Sequence, residues 1–206
     1  MSEERTAPFS ILVVCTGNIC RSPVAERLLR SQSEAAGIPA LVASAGTQSM
    51  VGHDMTPEAA GLAQHYGADP GGHRSQQLTE RLIADADLVL TATREHRSAV
   101  VSLHPRAARY TYTLNQLARL LPAAVESISL IEVGQSLQPD AATALRALLT
   151  EVAATRGFAP PPVHPEDDDI EDPYRQSAEV YARVGHAIEA SVTTITNGMS
   201  SVVGSS

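Results

Sequence analysis

Apolar residues in this chain alternate between two arrangements: short, mainly apolar runs, and longer stretches in which they recur every three or four positions. Residues 9–14 form the first run, and 24–36 carries the first helical period. Runs at 41–44 and 87–93 predict two more strands, and 109–113 a fourth. Helices are expected at 57–66, where Thr56 supplies a cap and Pro57 a first helical residue, and at 94–103. Strand runs alternating with helical periods are the pattern of a parallel α/β sheet. In such a sheet ligands bind at the carboxyl ends of the strands, which places Cys15, Thr47 and residues 91–94 on one rim.

The second half reads less regularly. Residues 140–157 have a helical period, with Leu145, Leu148, Leu149 and Val152 on one face and Gly157 as a stop. The proline-rich stretch 159–165 predicts a stiff extended connector. A last helix is expected at 175–196, followed by a Gly/Ser-rich tail, 197–206, expected to be disordered. The expectation is therefore one domain over 9–196, with a flexible start at 1–8 and an insertion at about 122–165.

Composition narrows the function. A 206-residue chain with a net charge of −8 does not suit a nucleic-acid or acidic-membrane binder. No run approaches the ~18 apolar residues of a membrane span, and the first ten residues lack a secretion signal, so a cytoplasmic protein is expected. Only two cysteines occur, Cys15 and Cys20, too few for a disulfide scaffold or a zinc site. Cys20 either packs as a small apolar residue or forms a reversible disulfide with an oxidised Cys15, and both readings stay open. His53, His65, His96, His104, His164 and His186 show no metal-ligand spacing and receive no role, and no metal or cofactor is expected.

The chemistry concentrates in Cys15-Thr16-Gly17-Asn18-Ile19-Cys20-Arg21-Ser22-Pro23, between the first strand and the first helix. A loop entering a helix presents unpaired N–H groups and the positive end of the helix dipole, a natural cradle for phosphate or a similar oxyanion. Cys15 at one rim offers a nucleophilic sulfur, and Arg21 at the other offers a planar guanidinium that grips two oxygens. Gly17 and Asn18 are residue types that tolerate the tight turn, Ser22 can donate to the Cys15 sulfur, and Pro23 suits a helix start. Phosphoryl transfer to cysteine is the chemistry implied.

These residues, with Val14 before them, closely resemble the active-site signature of the low-molecular-weight protein tyrosine phosphatases. Ser44-Ala45-Gly46-Thr47, His73-Arg74-Ser75-Gln76-Gln77-Leu78, Asp87-Leu88-Val89-Leu90 and Ile170-Glu171-Asp172-Pro173-Tyr174 follow in that family's order. The resemblance covers about 9–120 and 166–196. It implies a three-layer α/β fold with a four-stranded parallel sheet flanked by helices, to which this chain adds a helical insertion. It also implies hydrolysis of phosphotyrosine in a protein substrate through a cysteinyl-phosphate intermediate, with Ser44 and His73 holding Asn18 and the loop in shape. Thr16, Gly17, Asn18, Ile19, Cys20 and Ser22 would line the anion site.

A phenolate leaving group needs a proton, and residues 166–172 offer six carboxylates among which periodicity does not choose. Pro173 constrains Asp172, and the resemblance selects Asp172 as the general acid, the rest reading as a solvated acidic loop. It also implies that Tyr174 flanks the cleft and stacks on an aromatic substrate. Two positions depart from the family: Met50 stands where an aromatic wall is common, and Arg175 where glycine is frequent. Arsenate reductases of the same fold linked to thioredoxin need further cysteines that this chain lacks, although a small-thiol-coupled reductase remains an alternative. Phosphoarginine phosphatases, the other alternative, typically carry threonine where Ile19 stands.

Overall fold

In the computed structural model, residues 8–131 and 140–204 are described. Four parallel strands, β1 (Phe9–Cys15), β2 (Ala40–Gly46), β3 (Leu88–Thr91) and β4 (Thr111–Thr113), lie in the order β2-β1-β3-β4. The helices between them are α1 (Arg21–Ala35), α2 (Pro57–His65), α3 (Glu80–Ala84) and α4 (Arg94–Leu103). After β4 come α5 (Leu114–Ile131), α6 (Ala141–Thr155) and α7 (Ala178–Val203). The apolar runs predict the parallel sheet, and its three-layer form with helices on both faces is the one the family resemblance implies.

Because strand side chains alternate faces, β1 feeds two cores at once. Phe9, Ile11 and Val13 meet Leu28 and Leu29 of α1, Leu117 and Leu121 of α5, and Ile188 and Val192 of α7. Leu12 and Val14 point the other way, against Ile83 of α3 and Val100 of α4. A strand buried on both sides shows no polar alternation, which is why residues 9–14 read as one apolar run broken only at the half-buried Ser10. The sequence pattern does not announce α3, since five residues capped by Thr79 are too short to display a helical period.

The insertion is part of the main core. Leu145, Leu148 and Val152 of α6 join the cluster containing α1, α5 and α7. Arg146 pairs with Asp87 at the entry to β3 at 3.0 Å, and the Arg156 guanidinium lies 4.7 Å over the Tyr112 ring in β4. Asp140 caps α6, accepting from the N–H groups of Ala142 and Thr143. No break occurs at Pro122, where the insertion was expected to start, because α5 runs through it. The prolines of the connector follow α6, and Arg119 donates to the Pro160 carbonyl at 2.7 Å.

The expected disordered tail is a correction. Helix α7 continues through Val203, with Met199 buried in the core. A Cβ on Gly198 would come within 3.1 Å of the Leu121 side chain, so its small size serves close helix packing there. The helix starts at Ala178, later than expected, because Arg175 has a φ of +62° and cannot lie in a right-handed helix. The expected flexible start falls on residues 1–7, outside the described residues apart from Pro8, as do 205 and 206.

Candidate active site

The loop between β1 and α1 turns on Asn18, which adopts a φ of +57° and is fully buried. Every polar atom of its side chain is used. Asn18 Nδ2 donates to Ser22 Oγ at 2.9 Å and to Ser44 Oγ at 2.8 Å, while Oδ1 accepts from the Gln76 N–H at 2.9 Å. His73 Nε2 donates to the Asn18 carbonyl at 2.8 Å. Four partners thus hold a backbone conformation that a non-glycine residue ordinarily avoids. Gly46 lies beneath, and a Cβ there would stand 2.4 Å from the Thr16 carbonyl, so the loop can rest on β2 only over a glycine.

The network ends on Glu26, a carboxylate the sequence analysis did not single out. Ser44 Oγ donates to Glu26 Oε2 at 2.5 Å, and Arg30 pairs with Oε1 at 2.7 Å. Burial works to raise the Glu26 carboxyl, but His73, whose Nδ1 lies 3.8 Å from Oε2, and the Ser44 hydrogen bond, with Arg27 and Arg30 nearby, outweigh it and hold it below the usual range. The direction of the chain then follows. Ser44 gives its proton to Glu26 and accepts from Asn18, and Ser22 also accepts from Asn18, which leaves the Ser22 hydroxyl proton free to point at Cys15 Sγ, 3.0 Å away.

A second residue without an expected role, His96, supports the other side of the loop. Its Nε2 lies 2.8 Å from Thr16 Oγ1 and its Nδ1 2.6 Å from Thr93 Oγ1, the cap of α4. Burial, then the Arg21 charge, push the imidazole down to about 4, against the opposing pull of Asp172 and Asp169. It is therefore a neutral hydrogen-bonding strut. Its only sequence signal is a place three residues after Thr93, which any capped helix would share.

Asp172 reaches the loop from the far end of the chain. Its Oδ2 is 2.7 Å from Arg21 Nη2, while Arg21 Nη1 donates to the Ile170 carbonyl at 3.1 Å and Arg21 Nε is buried without a partner. Glu166 and Asp167 are exposed, as a solvated loop would have them, but the carboxylates nearer Asp172 are tied to arginines, contrary to expectation. Asp168 pairs with Arg119 at 3.1 Å, Asp169 with Arg94 at 2.8 Å, and Glu171 with Arg183 at 3.1 Å. Ile170 is buried and its N–H donates to the Ala92 carbonyl at 2.8 Å, adding a strand-like contact to the end of β3. Burial would raise the Asp169 carboxyl, and its bonds to Arg94 more than compensate, holding it low.

These parts enclose a cavity of about 190 Å³. Cys15, Thr16 and Arg21 form its base, Gly17 and Ile19 one side, and Met50, Asp172 and Tyr174 the mouth. Cys20 also borders it, with its sulfur 3.6 Å from the Tyr181 hydroxyl and 3.7 Å from Thr56 Oγ1, and burial pushes its thiol up. Both cysteines are free thiols. Asn18 and Ser22, expected to line the anion site, instead turn their side chains into the buried network beneath it. Ser44 and His73 lie in that same network. The Arg175 guanidinium sits 5.0 Å over the Tyr174 ring, at the cleft mouth. Among the described residues, no group of three His, Cys, Asp or Glu side chains is placed to hold a metal ion, and no helix is long and apolar enough to cross a membrane.

Comparison with known proteins agrees with this geometry. The family model for low molecular weight phosphotyrosine protein phosphatase matches residues 10–129. A probable low molecular weight protein-tyrosine-phosphatase, EpsP of Ralstonia nicotianae, is 38% identical over 109 residues, covering 52% of this chain and 72% of that protein. The low molecular weight protein-tyrosine-phosphatase Etp of Escherichia coli is 40% identical over 108 residues, 52% of this chain and 70% of Etp. Among solved structures, Vibrio vulnificus Wzb in complex with benzylphosphonate superposes with a TM-score of 0.63 at 27% identity, covering 93% of this chain and 99% of that one. With more than half its length matched and the fold shared, the chain belongs to the low molecular weight phosphotyrosine protein phosphatase family and is an enzyme of that class.

Proposed function

We propose that this enzyme hydrolyses phosphotyrosine in a protein substrate through a cysteinyl-phosphate intermediate. The Cys15 thiolate attacks phosphorus in line with the phenolic oxygen, forming an S–P bond as the P–O bond breaks. The loop N–H groups and the Arg21 guanidinium hold the equatorial oxygens, with the unpartnered Arg21 Nε offering a donor to one of them. Asp172 protonates the departing phenolate. Water then attacks the cysteinyl phosphate while the Asp172 carboxylate takes its proton, releasing phosphate and restoring the thiolate. The Ser22 hydroxyl, 3.0 Å from Sγ, stabilises the sulfur anion both as attacking and as leaving group. Ser44 and His73 position the loop through Asn18.

The observation that carries this reading is the 2.7 Å contact between Arg21 and Asp172, which brings a half-exposed carboxylate to the cavity above Cys15. Ile19 and Met50 face that cavity across Gly17, and Tyr174 stands at its mouth, so the walls suit a flat phenyl ring. The relatives' names and the benzylphosphonate complex of Wzb support an aryl phosphate and an oxyanion in the loop. A nucleophilic free thiol works in a reducing compartment, which favours a cytoplasmic location.

Steady-state hydrolysis of phosphotyrosine and phosphoarginine peptides tests the proposal. Wild type is expected to prefer phosphotyrosine, Cys15→Ser to lose turnover, and Asp172→Asn to lose about 10²- to 10⁴-fold in kcat. Undiminished turnover by Cys15→Ser defeats the mechanism, and preference for phosphoarginine defeats the substrate.

A further inference from the structure

Behind the loop, on the opposite side of the Asn18 network from Cys15, lies a second and larger cleft of about 500 Å³. Three arginines border it, Arg27 and Arg30 of α1 and Arg74 of the segment after α2, against one carboxylate, Glu26. Glu26 is already saturated by Ser44 and Arg30, and Arg74 is paired at the rim with Asp54. Arg27 differs from both. Only 9% of it is exposed, yet its Nε is buried without a hydrogen-bond partner. A buried guanidinium with unused donors is costly unless an anion meets it, because desolvation is not repaid. Gly71 and Gly72, which carry no side chain to fill the space, also line the cleft.

We propose that this cleft is a second anion site, taking a small phosphate-bearing molecule on Arg27, with Arg30 and Arg74 as flanking cations. The chemistry follows from the donors: a guanidinium matches the paired oxygens of a tetrahedral oxyanion, and with Arg30 matched by Glu26 and Arg74 by Asp54, Arg27 leaves the cleft one uncompensated positive charge. The volume exceeds that of a bare oxyanion, so inorganic phosphate and a phosphorylated metabolite both fit. The site is separate from the Cys15 cavity and does not depend on the proposed substrate. Its walls include Glu26, Ser44 and His73, the residues that hold Asn18, so an anion there sits directly against the support of the catalytic loop.

Crystals soaked in sodium selenate, read by anomalous diffraction, test the site directly. Wild type is expected to show two selenium peaks, one over Cys15 and one beside Arg27. Arg27→Gln is expected to keep the first and lose the second. A wild-type peak over Cys15 alone, or an unchanged second peak in Arg27→Gln, overturns the proposal. Arg74→Gln, at an exposed position that leaves the core intact, is expected to weaken the second peak. The source is separated by thermal unfolding with inorganic phosphate or ribose 5-phosphate: the Tm rise of wild type beyond that of Arg27→Gln measures this cleft alone. A larger Arg27-dependent rise with ribose 5-phosphate assigns an organic phosphate, equal rises assign the free ion, and no Arg27-dependent rise with either overturns the site.

Discussion

The nucleophile loop and the acid loop meet in one cavity but are held by different physics. Residues 15–21 are contiguous, buried apart from the half-buried Thr16 and Gly17, and fixed by neutral hydrogen bonds that converge on one side chain, Asn18. Residues 168–172 are held mainly by charge, each of their four carboxylates reaching an arginine on a different helix: Arg119 on α5, Arg94 on α4, Arg183 on α7 and Arg21 on α1. Buried neutral networks are stiff because an unmet donor is expensive, whereas ion pairs nearer solvent are individually weak and hold a segment only in combination. The difference suits the proposed chemistry. A cradle for developing charge must not rearrange, while a carboxyl that gives and retakes a proton must stay near water, and Asp172 is 53% exposed.

The comparison breaks most severely at Asn18. Asn18→Ala leaves Ser22, Ser44 and the Gln76 N–H without their partner and places alanine at a φ of +57°. At about 1–3 kcal/mol for an unmet buried group, kcat/KM is expected to fall at least ~100-fold. Inhibition by inorganic phosphate should weaken in parallel, since the cradle itself is lost. Retained phosphate affinity in Asn18→Ala would show that the loop keeps its shape without the network.

The acid loop should respond differently. Asp168→Ala removes the most buried of its ion pairs and leaves Arg119 unmatched, for an expected stability loss of about 1–3 kcal/mol. Phosphate inhibition should stay unchanged, while kcat drops for a phenyl phosphate and much less for a 4-nitrophenyl phosphate, whose leaving group needs no proton. Equal losses on both substrates would mean that the acidic segment supports the cradle as well as the acid.

The smallest effect is a pH effect on the strut between them. The His96 imidazole is held at about 4 in the folded protein and returns to an ordinary histidine value on unfolding. The unfolded chain therefore binds the extra proton first, so folding stability is full above about pH 6.5 and falls as pH drops towards 4. Over that window the loss is of order 2–3 kcal/mol, and it should be largely absent in His96→Gln, which keeps a hydrogen-bonding side chain but does not titrate. Urea unfolding at pH 7 and pH 5 measures it. Identical pH dependence in the two proteins would remove His96 from the account.

What could be read from residues alone divides along the same line. The strand and helix periods, Cys15 and Arg21 at the ends of one loop, and the cap at Thr56 are local, because a few neighbouring residues determine each of them. Asp172 was separable from its five acidic neighbours only by likeness to a family, since nothing in residues 166–172 tells an acid from an anchor. Glu26 was hidden because a charged residue in a helix ordinarily faces water, whereas α1 is covered on nearly every side. The Gly/Ser content of 197–203 misled for a similar reason: small residues favour disorder in isolation and close helix contact in a core.

By itself, then, the amino-acid sequence determined a parallel α/β sheet, a cysteine-and-arginine phosphate loop at the end of its first strand, and the chemistry that loop can perform. These depend on periodicity and on backbone geometry within a few residues. Likeness to a family picked out Asp172, and only the tertiary structure decided which of its neighbours are anchored by arginines and where Glu26, His96 and Arg27 lie. Their roles arise from burial and from charges brought together across the chain, and burial is a property of the packed molecule that no short stretch of sequence contains.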